Sequence, residues 1–273
     1  GLYFLLTKKT SLTVYLSFLF LSYFFSTFYS FYKLYPFLKI KNLRIRFSIF
    51  KKIIYYGFFN QLSSVAQQLN YRLNYFFIQK YLGLASLGRY DVATKISESS
   101  WIVSRSIAAV GLSVFSNKEK EETKFLALSL LKLALFLVFS FLLILLLIPN
   151  VFYTKYMFTA DFYGIKSLIF SLFIGILSMA GTSVLSAFFS GVGMIYHNTI
   201  SSLIGLFFLL ISGLILIPSQ GLLGAGFACS ISYLSSFIYL LIVFSIKNKI
   251  SFHLFLPNKK DLSLLKKTIQ KSL

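Results

Sequence analysis

Five stretches of the sequence are each roughly 20 residues long and almost free of charge, with Lys132 as their one charged residue. They are Ser11 to Tyr32, Phe125 to Ile148, Leu168 to Phe189, Thr199 to Ile217 and Leu222 to Ile246. A helix of about 20 apolar residues crosses the hydrocarbon core of a bilayer. Hydrophobic residues make up 57% of the chain and charged residues 12%, more apolar surface than a water-soluble domain buries. The sequence predicts an all-α integral membrane protein.

Two further segments, from about Ile53 to Lys80 and from Leu87 to Phe115, have the length of a span but carry polar and charged side chains. Such side chains in membrane helices face other helices or a watery cavity. We therefore predict about seven transmembrane helices, and we expect any binding site to lie in these two.

The net charge of +20 is concentrated beside the predicted spans. Basic residues cluster in Lys33 to Lys52, Lys118 to Lys124 and Lys247 to Lys271. With seven spans these three segments fall on one face, which the positive-inside rule makes cytoplasmic. We expect the amino terminus outside and the carboxy terminus inside. A charge of this size also occurs in nucleic-acid-binding proteins, but its placement favours membrane orientation, so we expect no nucleic acid partner.

The basic segment after Pro257 has apolar residues at helical spacing, at Leu262, Leu265 and Ile269. This pattern is typical of an interfacial helix on anionic lipid. An unstructured basic tail is the alternative.

The third predicted span carries Asp91, Lys95, Glu98 and Arg105, spaced four, three and seven residues apart on one helical face. Lys95 can pair with either carboxylate, which lowers the cost of burying the charges. Arg105 has no acidic residue one turn away. We expect it to meet an anion.

The second predicted span places Gln61, Ser64, Gln68 and Arg72 on one stripe, with Asn74 beside it. Amide and guanidinium groups offer donors that suit phosphate or sugar hydroxyls. Amides also join helices to one another in membrane bundles, and this alternative remains for the amides alone. For Arg72 together with Arg105 the sequence favours a hydrated cavity, because an unpaired cation facing lipid is costly.

The sequence has none of the motifs that would indicate an enzyme or a metal site. His197 and His253 are far apart, and neither has carboxylates or cysteines at metal-ligand spacing. We expect no catalytic residues, no metal and no cofactor. Cys229 lies in an apolar run, where packing is the simplest interpretation.

Several short motifs occur in a set order along the chain. The first is Arg72, which precedes Leu82-Gly83, a short loop and Leu87-Gly-Arg-Tyr90. The next is the small-residue segment Phe189-Ser-Gly-Val-Gly193. The last is the segment Leu216-Ile-Pro-Ser-Gln-Gly-Leu-Leu-Gly-Ala-Gly-Phe-Ala228. Over about residues 50 to 246 this series resembles the Wzx-type polysaccharide flippases. They belong to the MOP exporter superfamily, together with MATE transporters and lipid II flippases.

The resemblance implies a two-lobed MATE-like bundle around a central cavity. Residues 1–32 would be the last helix of the amino-terminal lobe, with further helices upstream, and residues 33–52 the cytoplasmic connector between the lobes. Residues 53–246 would form the six-helix carboxy-terminal lobe, and residues 247–273 a basic cytoplasmic tail.

The implied function is movement of undecaprenyl-pyrophosphate-linked oligosaccharides across the bacterial cytoplasmic (inner) membrane by alternating access. This would serve the synthesis of cell-surface polysaccharide such as O-antigen or capsule. Expected partners are the lipid-linked oligosaccharide, membrane lipids, other polysaccharide-assembly proteins and H⁺ or Na⁺ as a coupling ion. Arg72, Arg105, Gln61, Gln68 and Asn74 would bind substrate, while the acidic residues of the third span, with Lys95, serve ion coupling or a structural salt bridge.

Two other functions remain open. A multidrug or cation antiporter of the same superfamily would share the fold, but would need unpaired acidic residues in its cavity. A membrane polysaccharide polymerase would share the pathway, but such enzymes usually have a large outer loop or a soluble catalytic domain.

Overall fold

The computed structural model describes residues 12–37, 47–117, 120–158 and 162–250. The chain divides into two compact units, Gly1–Ile53 and Ile54–Leu273. The predicted inter-lobe connector lies partly outside the described residues, and the predicted interfacial helix after Pro257 lies wholly outside them.

The first unit contains helix α1, Leu12–Leu34, followed by a short 3-10 turn at Tyr35–Phe37. Almost every described side chain of α1 is exposed. Three of its hydroxyls, those of Ser17, Thr27 and Ser30, donate to carbonyls four residues earlier in the helix at 2.8–2.9 Å. A helix that is apolar on all sides and internally hydrogen-bonded has the properties of a membrane span.

The remaining helices are long and are joined by short turns. They are α2 (Phe47–Glu98), α3 (Trp101–Asn117), α4 (Lys120–Leu147), α5 (Ile165–Gly191) and α6 (Tyr196–Asn248). A single π-helical turn, Phe152–Met157, lies between α4 and α5. The described residues contain no strand.

Two glycines divide α2 and α6 into antiparallel arms. Gly83 has φ 81° and Gly221 has φ 62°, in a region that glycine adopts without steric cost because it has no Cβ. The arms are residues 47–82 and 84–98 of α2, and residues 196–220 and 222–248 of α6. Pro218, three residues before the second break, has no amide hydrogen to donate to the end of its arm.

Within the described ranges the helices therefore make seven membrane-length passes, as predicted. Four helices, α1, α4, α5 and α6, are long and apolar enough to cross a membrane by composition alone. Helix α6 crosses twice because of its two arms, so these four helices account for five passes. The first arm of α2 forms the second pass along the chain, and its second arm forms the third pass together with α3. The fold class predicted from the sequence is confirmed.

The third span is interrupted, whereas the sequence predicted one continuous helix from Leu87 to Phe115. The regular helix stops at Glu98, and Ser99 and Ser100 form a turn before α3 begins at Trp101. Ser99 Oγ donates to the carbonyl of Ile96 at 2.7 Å, and Ser100 Oγ donates to that of Ser97 at 2.8 Å. The backbone N–H groups of Ile102 and Val103 donate to the carbonyls of Ser99 and Ser100 at 3.3 and 3.2 Å, three residues back, and these bonds join the turn to α3.

Helix α5 occupies the centre of the second unit and packs against α3, α4 and α6. The first arm of α2 is tied to α6 by two buried amides. Asn70 Nδ2 donates to the carbonyl of Ser202 at 3.0 Å, and Asn74 Nδ2 donates to that of Ala225 at 3.2 Å. These bonds fix the rotation of the arm about its axis, and Arg72 is exposed on its other side.

Candidate functional site

A cavity of about 450 Å³ lies beside the break in the third span. Its walls come from both arms of α2 and from the start of α3. They consist of Gln68, Tyr71, Arg72, Tyr75, Lys95, Glu98, Ser99, Trp101, Ile102 and Arg105. We call it the arginine cavity. Its lining has three basic side chains and one carboxylate, so the cavity is electropositive.

Each arginine of the cavity is held over an aromatic ring. The guanidinium carbon of Arg72 is 5.3 Å from the centroid of the Tyr75 ring, and that of Arg105 is 5.1 Å from the centroid of the Trp101 ring. No carboxylate of the described residues lies within ion-pair distance of either guanidinium. Stacking orients a guanidinium without consuming its N–H donors. Arg105 also interacts with the Tyr71 side chain, so each guanidinium keeps N–H donors that an anion could use.

The acidic residues of the third span have different surroundings. Asp91 forms an ion pair with Lys95, with 2.6 Å between Oδ2 and Nζ. It also accepts a hydrogen bond from the Tyr75 hydroxyl at 3.0 Å. Glu98 lines the cavity and interacts electrostatically with both arginines. In the described part of the chain no basic nitrogen lies within ion-pair distance of its carboxylate. Of the two pairings that the spacing allowed, the structure forms the one between Asp91 and Lys95.

The structure brings five of the predicted site residues into this cavity: Gln68, Arg72, Lys95, Glu98 and Arg105. Gln61 is exposed on the first arm of α2 but does not line the cavity. Asn74 is buried, and its Nδ2 donates hydrogen bonds to the Tyr90 hydroxyl and to the carbonyl of Ala225, both at 3.2 Å. Its side chain joins helices, which is the alternative that the sequence left open for the amides.

An aromatic cluster behind the arginines was not predicted. The Trp101 ring lies 5.2 Å from the ring of Tyr71 and 6.2 Å from that of Tyr233. Two features of the sequence point to it: Trp101 is the single tryptophan, and it lies four residues before Arg105. Because 19% of the chain is aromatic, these two features did not distinguish Trp101 from the other aromatic residues.

A second cavity, of about 210 Å³, lies deeper in the same unit and is lined by hydroxyls and amides. Many of its lining groups are already used to hold the bundle together. Ser201 Oγ donates to the carbonyl of Ser236, for example, and Ser236 Oγ donates to that of Ser201, both at 3.0 Å. No charged side chain of the described residues lines it. The described residues also contain no cluster of three His, Cys, Asp or Glu side chains that could hold a metal.

Comparison with sequence families identifies the chain. Residues 16–166, more than half of it, match the family described as polysaccharide biosynthesis protein. The chain belongs to this family. The matched range includes most of α1, both arms of α2, α3 and α4, and with them the whole lining of the arginine cavity. No curated protein sequence matches the chain.

Solved structures show which fold this polysaccharide biosynthesis protein has. A MOP superfamily transporter from Pyrococcus furiosus superposes with a TM-score of 0.60 at 16% identity, over 80% of this chain and 50% of that one. A multidrug resistance MATE family transporter of the MOP superfamily, in an outward-facing conformation, superposes with a TM-score of 0.58 at 16% identity, over 74% of this chain and 47% of that one. The chain thus spans about half the length of each structure. It is a multi-pass membrane protein with the fold of the MOP transporters.

Proposed function

We propose that this chain is part of a transporter that flips undecaprenyl-pyrophosphate-linked oligosaccharides from the cytoplasmic to the outer leaflet of the bacterial cytoplasmic membrane. The observation that carries the proposal is the arginine cavity. Two guanidinium groups with no carboxylate of the described residues within ion-pair distance provide charged, forked donors that suit the oxygens of a pyrophosphate. Membership of a polysaccharide biosynthesis family supports a glycan as the other part of the substrate.

The proposed route is alternating access around a cavity near the middle of the membrane. Residues 1–32 would end the first lobe, residues 33–52 would connect the lobes, residues 53–246 would form the second lobe and residues 247–273 a cytoplasmic tail. The basic segments orient the amino terminus outside and the carboxy terminus inside. In this arrangement the arginines hold the anionic head while the prenyl chain stays in lipid, and the glycan serves O-antigen or capsule assembly with other proteins of that pathway.

For the coupling ion, H⁺ or Na⁺, we propose Glu98 as the responsive carboxylate. Asp91 is already paired with Lys95 and bonded to Tyr75, whereas Glu98 faces the arginine cavity without an ion-pair partner among the described residues. A carboxylate that faces both arginines competes with an anionic substrate for them. Protonation or cation binding at Glu98 would relieve that competition.

The polarity of the cavity favours this cargo over the cationic drugs of a multidrug antiporter. A cationic drug would be repelled by Arg72 and Arg105 unless acidic groups outnumbered them. The description of the Pyrococcus furiosus transporter links a reversed polarity of its binding pocket to a different function.

The test is made with the full-length protein in proteoliposomes. The assay follows the access of a pyrophosphate-linked oligosaccharide to a reagent on the opposite side, and parallel vesicles measure efflux of a cationic dye and elongation of the glycan. The proposal expects transfer of the lipid-linked glycan, no dye efflux and no longer glycan product. Dye efflux without glycan transfer would identify an antiporter, and glycan elongation would identify a polymerase.

A further inference from the structure

The cavity of about 210 Å³ that is lined by hydroxyls and amides adjoins the arginine cavity along the first arm of α2. We call it the polar cavity. Asn60, Ser64, Gln67 and Tyr71 line it, and their spacing of four, three and four residues places them on one face of the helix. Tyr71 also lines the arginine cavity, together with Arg72. The two cavities therefore follow one another along the same arm and share a wall.

Two amides of the polar cavity take no part in holding the bundle together. The side chains of Asn60 and Gln67 make no hydrogen bond with any described residue. Asn60 is exposed and Gln67 is half-buried, so a molecule outside the bundle can reach both. Each amide offers two N–H donors and one carbonyl acceptor. This wall of the cavity therefore has accessible hydrogen-bonding groups that a ligand can use.

The opposite side of the arm fixes the direction of these amides. Ser63 Oγ lies 3.3 Å from Ser202 Oγ, and Asn70 Nδ2 donates to the carbonyl of Ser202 at 3.0 Å. Both contacts are buried and tie this part of α2 to α6. Rotation of the arm would break them and leave buried polar groups unsatisfied. Gln67 therefore keeps its place on the cavity wall.

The lining of the polar cavity is hydrogen-bonding but uncharged. None of the described residues that line it carries a charge. A carboxylate or an ammonium group would lose hydration there without gaining a partner of opposite charge. The hydroxyl groups of a neutral sugar can instead exchange hydrogen bonds with the amides and hydroxyls of the wall. The chemistry of this cavity thus favours an uncharged ligand with several hydroxyl groups.

The spacing of the two cavities matches that of two groups joined by a single link. Gln67 precedes Arg72 by five residues, which corresponds to about 7.5 Å along the axis of an α-helix. A sugar attached to a pyrophosphate through one phosphoester bond lies within that reach. A pyrophosphate bound at Arg72 and Arg105 can therefore place its attached sugar beside Gln67.

We propose that the polar cavity binds an uncharged sugar, the one linked directly to the pyrophosphate, and that the Gln67 amide hydrogen-bonds the hydroxyl groups of this sugar. The inference rests on the proposed function for the anion held at Arg72 and Arg105. It adds a specificity to that function. A neutral hexose or N-acetylhexosamine is accepted at the first position of the glycan, and a uronic acid is bound less well.

The experiment uses the full-length protein in detergent and measures binding by calorimetry. The probes are farnesyl pyrophosphate and its derivatives that carry one glucose, galactose, N-acetylglucosamine, N-acetylgalactosamine or glucuronic acid. We expect at least one neutral sugar to tighten binding about tenfold over farnesyl pyrophosphate. Glucuronic acid should give no such gain, because its carboxylate meets no cation in the polar cavity.

Gln67→Met tests the residue, because methionine has nearly the same shape and lacks the amide. It should abolish the gain from the neutral sugar while binding farnesyl pyrophosphate like the wild type, which also shows that the variant is folded. Gln79→Met is the matched control. Gln79 is an exposed amide on the same arm and lines neither cavity, so this variant should keep the gain.

The results that would overturn the inference are separate from those that would overturn the proposed function. If the wild type binds farnesyl pyrophosphate but no neutral sugar tightens binding, or glucuronic acid tightens it most, the sugar site fails and the anion site stands. A gain that survives in Gln67→Met also overturns the inference. If the wild type binds none of the probes, the sugar site and the proposed anion site both fail.

A second measurement does not depend on the Gln67 variant. Ser64 lines the polar cavity and is exposed, so Ser64→Cys places a reactive thiol in the cavity with little change of size. Labelling by a polar maleimide is followed by mass spectrometry of the peptide that contains residue 64. The neutral-sugar probe that binds most tightly should slow the labelling, whereas farnesyl pyrophosphate should leave its rate unchanged. Equal labelling rates with the two probes at saturation contradict the inference.

Discussion

The guanidinium carbon of Arg105 lies 5.1 Å from the centroid of the Trp101 ring, and the two residues are one turn apart at the start of α3. The stacking holds the cation beside the break in the third span. Arg105 also interacts with the Tyr71 side chain, and its remaining N–H groups can meet a ligand. Arg72 has the same relationship to Tyr75 on the facing arm of α2. The two cations therefore approach the arginine cavity from different helices, each on an aromatic support.

Arg105→Lys tests whether the planar guanidinium matters beyond its charge. Lysine keeps the positive charge but loses the fork and stacks less well on an indole. We expect transport of the lipid-linked glycan to fall several-fold, to a rate between those of the wild type and Arg105→Ala. The measurement is the initial transfer rate in proteoliposomes at equal protein content. A rate equal to the wild type would mean that charge alone is sufficient.

Glu98→Gln and Asp91→Asn form a matched pair for ion coupling. Each substitution replaces a carboxylate of the third span by an amide of the same shape. Glu98 faces the cavity, so Glu98→Gln should make transport insensitive to an imposed H⁺ or Na⁺ gradient. Asp91→Asn should retain that response and unfold at a slightly lower temperature. The lost ion pair is worth less than about 1 kcal/mol, since the Lys95 side chain is 68% exposed. The opposite pattern would assign coupling to Asp91.

Asn74→Ala and Gln61→Ala separate a structural amide from a surface one. Asn74 is 1% exposed and joins the first arm of α2 to Tyr90 and Ala225. Its truncation should destabilise the protein by about 1–3 kcal/mol. Gln61 is exposed, and its truncation should change stability by less than about 0.5 kcal/mol. Thermal unfolding in detergent measures both; equal melting temperatures for the two variants would rule out the structural role of Asn74.

Gly175→Ala tests the close approach of α5 to the second arm of α6. A Cβ at Gly175 would lie 2.6 Å from the Cα of Ser230, a backbone atom that cannot move aside alone. Overpacking of this kind costs about 1–3 kcal/mol. Gly57→Ala is the control, because a Cβ there meets nothing within 4 Å, and alanine is the better helix former. We expect a lower unfolding temperature for the first variant and an equal or higher one for the second.

The number of spans could be predicted because it depends on the length of apolar stretches, a property of the chain alone. The turns at Gly83 and Gly221 could also be expected, since each separates two stretches of membrane length. The break at Ser99 and Ser100 could not, because those serines lie inside a pattern of helical spacing. The hydroxyls bond to local carbonyls, and the sequence alone does not decide between that arrangement and an unbroken ladder.

The placement of the two arginines at one cavity could be predicted, because charge was the deciding property. An unpaired arginine facing lipid has a high free-energy cost, so the sequence predicted a hydrated cavity at Arg72 and Arg105. Both residues line one cavity in the structure. The amides could not be assigned in this way. Gln68 lines the cavity, whereas Asn74, six residues later, faces the helical core. Which neighbour an uncharged amide meets depends on tertiary packing, which the spacing on one helix does not contain.

The central claim is that Arg72 and Arg105 bind the anionic head of the transported lipid. The most direct measurement is the transfer of pyrophosphate-linked oligosaccharide in proteoliposomes by Arg72→Ala, Arg105→Ala and Arg89→Ala at matched protein content. Arg89 is the control, because it stacks on Tyr163 and lines a different cavity. We expect at least about a tenfold loss for each of the first two variants, with Arg89→Ala close to the wild type. Wild-type transfer by both Arg72→Ala and Arg105→Ala would contradict the claim.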